Sequence, residues 1–74
     1  MSRDMADDLC IYNVVKVCPA GTKVTVERDA PNSLGGIMEA ARKDGSGDVL
    51  IPKFDSHHRR WLVKDNVGNT FFTE

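Results

Sequence analysis

The densest run of charged and reactive side chains is Lys53-Phe54-Asp55-Ser56-His57-His58-Arg59-Arg60-Trp61-Leu62-Val63-Lys64. Four fixed cations stand there against one carboxylate, with two imidazoles and two aromatic rings. A guanidinium forks onto a phosphate or a carboxylate, and an indole face stacks on a base. Imidazoles add positive charge below about pH 6.5. Lys53, His57, His58, Arg59, Arg60, Trp61 and Lys64 are therefore the candidate partner-binding residues. The partner is either an anionic protein patch or a single-stranded nucleic acid. The whole chain carries 10 Lys and Arg against 11 Asp and Glu, a net charge of −1. That balance favours a protein partner, because a general nucleic-acid coat needs a basic excess. The competing structural role is that Trp61 anchors the core with Val63 while the arginines line a solvated loop and strand edge.

Other chemistries find less support. Cys10, Cys18, His57 and His58 are zinc-type ligands, but structural sites pair ligands a few residues apart, and these cysteines are eight positions apart. No metal centre and no cofactor are expected. Cys10 or Cys18 could join a histidine and Asp55 in a nucleophilic triad. No Gly-x-Ser-x-Gly elbow, phosphate loop or His-Glu-x-x-His accompanies them. No catalytic residue is assigned, and a small cysteine-dependent enzyme stays the second alternative behind nucleic-acid binding. On one extended strand the two cysteines lie about 26 Å apart. A disulfide needs Cα atoms within about 7 Å, so both read as reduced thiols of a cytoplasmic protein.

Those side chains must be positioned by a small framework. A chain of 74 residues makes one domain and buries only about 60–65% of its unfolded surface. A deep catalytic cleft would compete with its core. Apolar residues make up 41% and charged residues 28% of the chain, ordinary globular values. The longest apolar runs fall far short of the roughly 20 residues that span a bilayer. The N-terminus is acidic (Asp4, Asp7, Asp8) and lacks the apolar stretch of a secretory signal. Residues 1–9 are expected to form a flexible acidic arm, with a short helical turn over Asp4–Leu9 as an option, and 10–74 a single globular domain.

Ile11–Val17 is rich in β-branched residues, and Thr22–Arg28 alternates cleanly. Val24 and Val26 are expected on one face, with Lys23, Thr25 and Glu27 on the other. With Pro19 and Gly21 between them, these runs predict a hairpin. The six residues Gly21–Val26 resemble the opening of KOW-type SH3-like barrels; the rest of that pattern does not follow at the required spacing. Asp29–Ser33 reads as a breaker segment. Leu34, Ile37, Met38 and Ala41 then repeat at helical spacing, with Asn32 or Ser33 as N-cap and Gly45 beyond the C-terminus. Gly35-Gly36 weakens the first turn by up to about 1 kcal/mol each. Asp48–Phe54 reads as a strand whose Pro52 places it at an edge or at the strand's end. Arg59–Asp65 and Thr70–Glu74 predict a second hairpin around Gly68.

The expected class is α+β in the order β-β-α-β-β-β. It is either a small, strongly bent antiparallel sheet or a partly open SH3-like barrel with one short helix. The chain starts at Met1 and its last strand is complete by Glu74, as a whole product would be. The expected function is non-enzymatic: a small binding protein docking on a larger macromolecular partner as adaptor, accessory subunit or inhibitor. A homodimer through an exposed strand edge is a further option, and no membrane contact is expected.

Overall fold

A computed structural model describes residues 11–74. The acidic arm and Cys10 lie outside the described residues. The β-branched and alternating runs form β1, Tyr12–Val17, and β2, Lys23–Ala30. Their turn closes through Gly21 N donating to Cys18 O and Cys18 N donating to Thr22 O, both at 2.8 Å. Helix α1, Leu34–Asp44, follows, and then β3, Leu50–Asp55, β4, Arg60–Asp65, and β5, Thr70–Thr73. The strands form one antiparallel sheet in the order β2-β1-β5-β4-β3.

This is the expected α+β fold as an open sheet. It does not close into an SH3-like barrel, because β2 and β3 do not pair. The reason lies in the connection. Helix α1 links one edge strand to the other and packs across the sheet between them, where closure would have to occur.

All of the helix lies on one face. Val14, Ala30, Ile37, Ala40, Ala41, Val63 and Phe71 form the core, with Val26, Leu34, Met38, Leu50 and Trp61 packed around it. The helical stripe predicted from spacing is thus the buried one. Ser33, not Asn32, caps the helix, its Oγ accepting from Gly36 N at 3.1 Å. The glycine at position 36 is explained by its neighbour Pro31. A Cβ there would stand 3.0 Å from Pro31 Cγ and 3.1 Å from the Pro31 carbonyl. At the other end Gly45 adopts the left-handed conformation (φ 69°) and donates to Ala41 O. Replacing Ser33 by alanine removes one satisfied donor of the first turn, and is expected to lower unfolding stability by about 1 kcal/mol. A urea midpoint unchanged within error would show that the cap carries no energy.

Two expectations for β2 are corrected. The strand extends two residues into the anticipated breaker, to Ala30, with Asp29 at a φ of 57°. Register also shifts around Val14, which faces Glu27. The bulge turns Glu27 to the helix side, where Lys43 lies 4.0 Å away. Pro52 does sit on an edge strand, as its missing N–H requires. Among the described residues, no helix is long and apolar enough to cross a membrane.

Candidate functional site

Strand alternation splits the basic segment between two faces. Ladder pairs Lys53↔Leu62 and Asp55↔Arg60 lie on the face opposite α1, together with Lys64. Phe54↔Trp61 lies on the helix face with buried Val63. Trp61 therefore does join the core shell beside Val63, as its structural role predicts, but its outer part meets Phe54 edge-on, with ring centroids 5.2 Å apart. Phe54 itself is 49% exposed.

His57, His58 and Arg59 occupy the turn between β3 and β4. Asp55 builds that turn. Its Oδ1 accepts from His57 N at 3.1 Å and, more distantly, from His58 N at 3.4 Å. Its Oδ2 lies 2.8 Å from His58 Nδ1. The His58 hydrogen bond, against a smaller opposing effect of desolvation, holds the Asp55 carboxyl below its ordinary range. The two imidazoles pack edge to face at 4.6 Å. Arg59 closes the turn in the left-handed region (φ 52°). Its carbonyl accepts from Asn32 Nδ2 at 3.2 Å, while Asn32 Oδ1 accepts from Thr73 Oγ1 at 2.7 Å. Asn32, a cap candidate by sequence, is instead the brace that ties this turn to the helix start and β5.

Arg60 is committed to the fold. It donates through an Nη to Thr73 O at 3.1 Å, and its guanidinium carbon lies 4.3 Å from the centroid of the Phe72 ring. Arg59 makes no ion pair among the described residues, which leaves it the available guanidinium of the turn.

Tyr12, Asn32, Phe54, Ser56, His58, Arg59, Arg60 and Trp61 line a groove of about 820 Å³ at this end of the sheet. Its lining contains three aromatic rings and two arginines but no carboxylate. Tyr12 and Asn32 were missed by the sequence reading. Tyr12 lies 42 to 49 positions from the rest of the aromatic and arginine lining and carries no local mark of joining it. The expected cluster of seven residues thus divides: His58, Arg59, Arg60 and Trp61 meet at the groove, Lys53 and Lys64 stand on the open face, and His57 borders the turn.

Cys18 follows β1 at the opposite end of the sheet, in the β1–β2 turn, half-buried. The antiparallel connectivity puts it a strand length from the histidines, so it does not join them in a thiol–imidazole pair. Among the described residues, no three His, Cys, Asp or Glu groups converge as a metal site. Compared with family models, curated proteins and solved structures, the chain matches none.

Proposed function

We propose that this protein performs no chemistry of its own and acts as a docking module, an adaptor, accessory subunit or inhibitor that seats part of a larger protein in the groove. The observation that carries this reading is the lining itself. Tyr, Trp and Arg dominate the energetics of protein interfaces, especially where they surround a concave, partly desolvated site. Here Tyr12, Trp61 and Arg59 share one groove with half-exposed Phe54. A phosphate track is the weaker reading at this site, because Lys53 and Lys64 project from the other face and Arg60 is held by Thr73 and Phe72. Two cysteines in a small chain fit the reducing cytoplasm.

The test is affinity capture from the native lysate with nuclease present, comparing the wild type with Arg59→Glu and Phe54→Ala. Both side chains lie outside the core, so circular dichroism should report intact folds. Loss of an interface anchor costs about 2 kcal/mol, roughly thirtyfold in affinity. Recovery of the same protein should fall accordingly in both variants. Capture that survives both substitutions, or that is seen only in a parallel lysate without nuclease, would sink the reading.

A further inference from the structure

The sheet face opposite α1 carries a second, separate pattern. By register its central row runs Thr25, Val15, Phe72, Leu62, Lys53 across the five strands, with Val15 buried, Phe72 and Leu62 half-buried and only the outer residues Thr25 and Lys53 exposed. The row nearer the β1–β2 turn runs Lys23, Val17, Thr70, Lys64, Ile51. Arg60, Asp55 and Glu74 lie beyond the central row on the other side. Lys23, Lys53, Arg60 and Lys64 thus face two acids, and both acids are engaged. Glu74 pairs with Lys23 at 2.6 Å. Asp55 holds His58 at 2.8 Å and lies 4.0 Å from Arg60 Nε. Among the described residues, neither Lys53 nor Lys64 has an acidic partner within 4.0 Å. A chain with a net charge of −1 therefore presents one cationic face.

Those two lysines are diagonal neighbours across β3 and β4, about 7–8 Å apart at the backbone. Beside them Arg60 lies over Phe72, pinned by its bond to Thr73 O. The Arg60 side chain is 23% exposed, with Nε buried and, among the described residues, without a hydrogen-bond partner, and its exposed part is the surface on which a base would stack. Cations around a planar platform on an open sheet match the alternation of phosphate and base in a single strand. A duplex fits poorly, since its major groove admits a helix or a two-stranded ribbon rather than the face of a five-stranded sheet.

From this arrangement we infer that the open face binds single-stranded nucleic acid. Phosphates sit on Lys53 and Lys64, and one base stacks on the Arg60–Phe72 pair. Its phosphate contacts, Lys53 and Lys64, lie outside the groove, which shares only Arg60 with this face. With a protein seated in the groove, the chain would bridge that protein to a nucleic-acid strand.

Fluorescence anisotropy with a labelled oligothymidylate of about 15 nucleotides tests it. Each neutralised phosphate contributes a salt slope of about −0.7, so phosphates on Lys53 and Lys64 predict a log–log slope of about −1.4. Lys53→Glu with Lys64→Glu should weaken binding at least tenfold at about 50 mM salt and flatten the slope towards zero. Arg60→Lys keeps the charge and removes the plane, so affinity should fall with the slope retained, provided circular dichroism shows the fold intact. Arg59→Glu, in the groove, should leave the slope unchanged, which separates failure of this inference from failure of the groove reading. Binding weaker than about 10⁻⁴ M at 50 mM salt overturns the inference. So does binding indifferent to the lysine reversals, or equal binding of a polyglutamate peptide, which would reassign the face to an acidic protein.

Discussion

Replacing Phe71 by alanine will cost about 3–5 kcal/mol of unfolding stability. Phe71 is 0% exposed and sits on β5, the central strand of the sheet, with Ile37, Val14 and Val63 as the other fully buried large side chains. Truncating a buried phenylalanine costs about 3–5 kcal/mol, the lost transfer energy plus the cavity left behind. Total stability for a chain of this length is about 4–11 kcal/mol. One side chain therefore carries a large share of the difference between folded and unfolded states, because the small core has few others to redistribute the loss. Urea unfolding followed by Trp61 fluorescence and far-ultraviolet circular dichroism should show the midpoint collapsing. Phe71→Leu, which keeps most of the volume, should lose much less. A wild-type midpoint in Phe71→Ala would mean that the helix does not pack on this face.

The second large effect is expected at Asp65, which ends β4 and is 7% exposed. Its Oδ1 accepts from Asn69 N at 2.8 Å and Val67 N at 3.1 Å, and its Oδ2 accepts from Asn69 Nδ2 at 2.8 Å. This carboxylate is the template of the β4–β5 turn. Asp65→Ala leaves the amide donors of buried Asn69 without an acceptor, at a cost of about 2–3 kcal/mol. Burial alone would raise the Asp65 carboxyl, but the Asn69 and Val67 hydrogen bonds together outweigh it and hold the group below its ordinary range. Asp44 shifts the same way, chiefly through its hydrogen bond from Ser46 and then, against desolvation, through Lys16, whose Nζ lies 3.1 Å away.

A depressed folded-state value means that the unfolded chain takes up protons first as pH falls. The stabilisation from these groups is complete above the ordinary carboxylate pKa, near 4, and is lost as pH drops through the lower folded value. Stability should be level near neutrality and decline from about pH 4 downward. Asp65→Asn, whose side chain does not titrate, should be less stable than wild type at pH 7 and converge on it in acid. Parallel pH profiles for the two proteins would remove Asp65 from the account.

Particular residues show where sequence reasoning stopped. The stripe Leu34, Ile37, Met38, Ala41, the turn at Gly21 and the edge position of Pro52 were all legible, because each depends on backbone period or on a single residue's conformational limits. The bulge that turns Glu27 towards Lys43 was not, since strict alternation contains no signal for an inserted residue. Trp61 illustrates the intermediate case. Its partnership with Val63 follows from parity along β4, whereas its contact with Phe54 needs the register that the turn at 56–59 sets.

From the order of residues alone came the five strands, the single helix, their sequence and the concentration of cations between positions 53 and 64. These are local properties, encoded by periodicity, caps and turn chemistry over a few neighbouring residues. Only tertiary packing decided that the sheet stays open, that Lys53 and Lys64 part company with Arg59 and Trp61, and that Tyr12 and Asn32 complete the groove. Those outcomes depend on which sheet face the helix buries and which distant strands lie side by side, and both are settled by the energy of the whole core rather than by any segment within it.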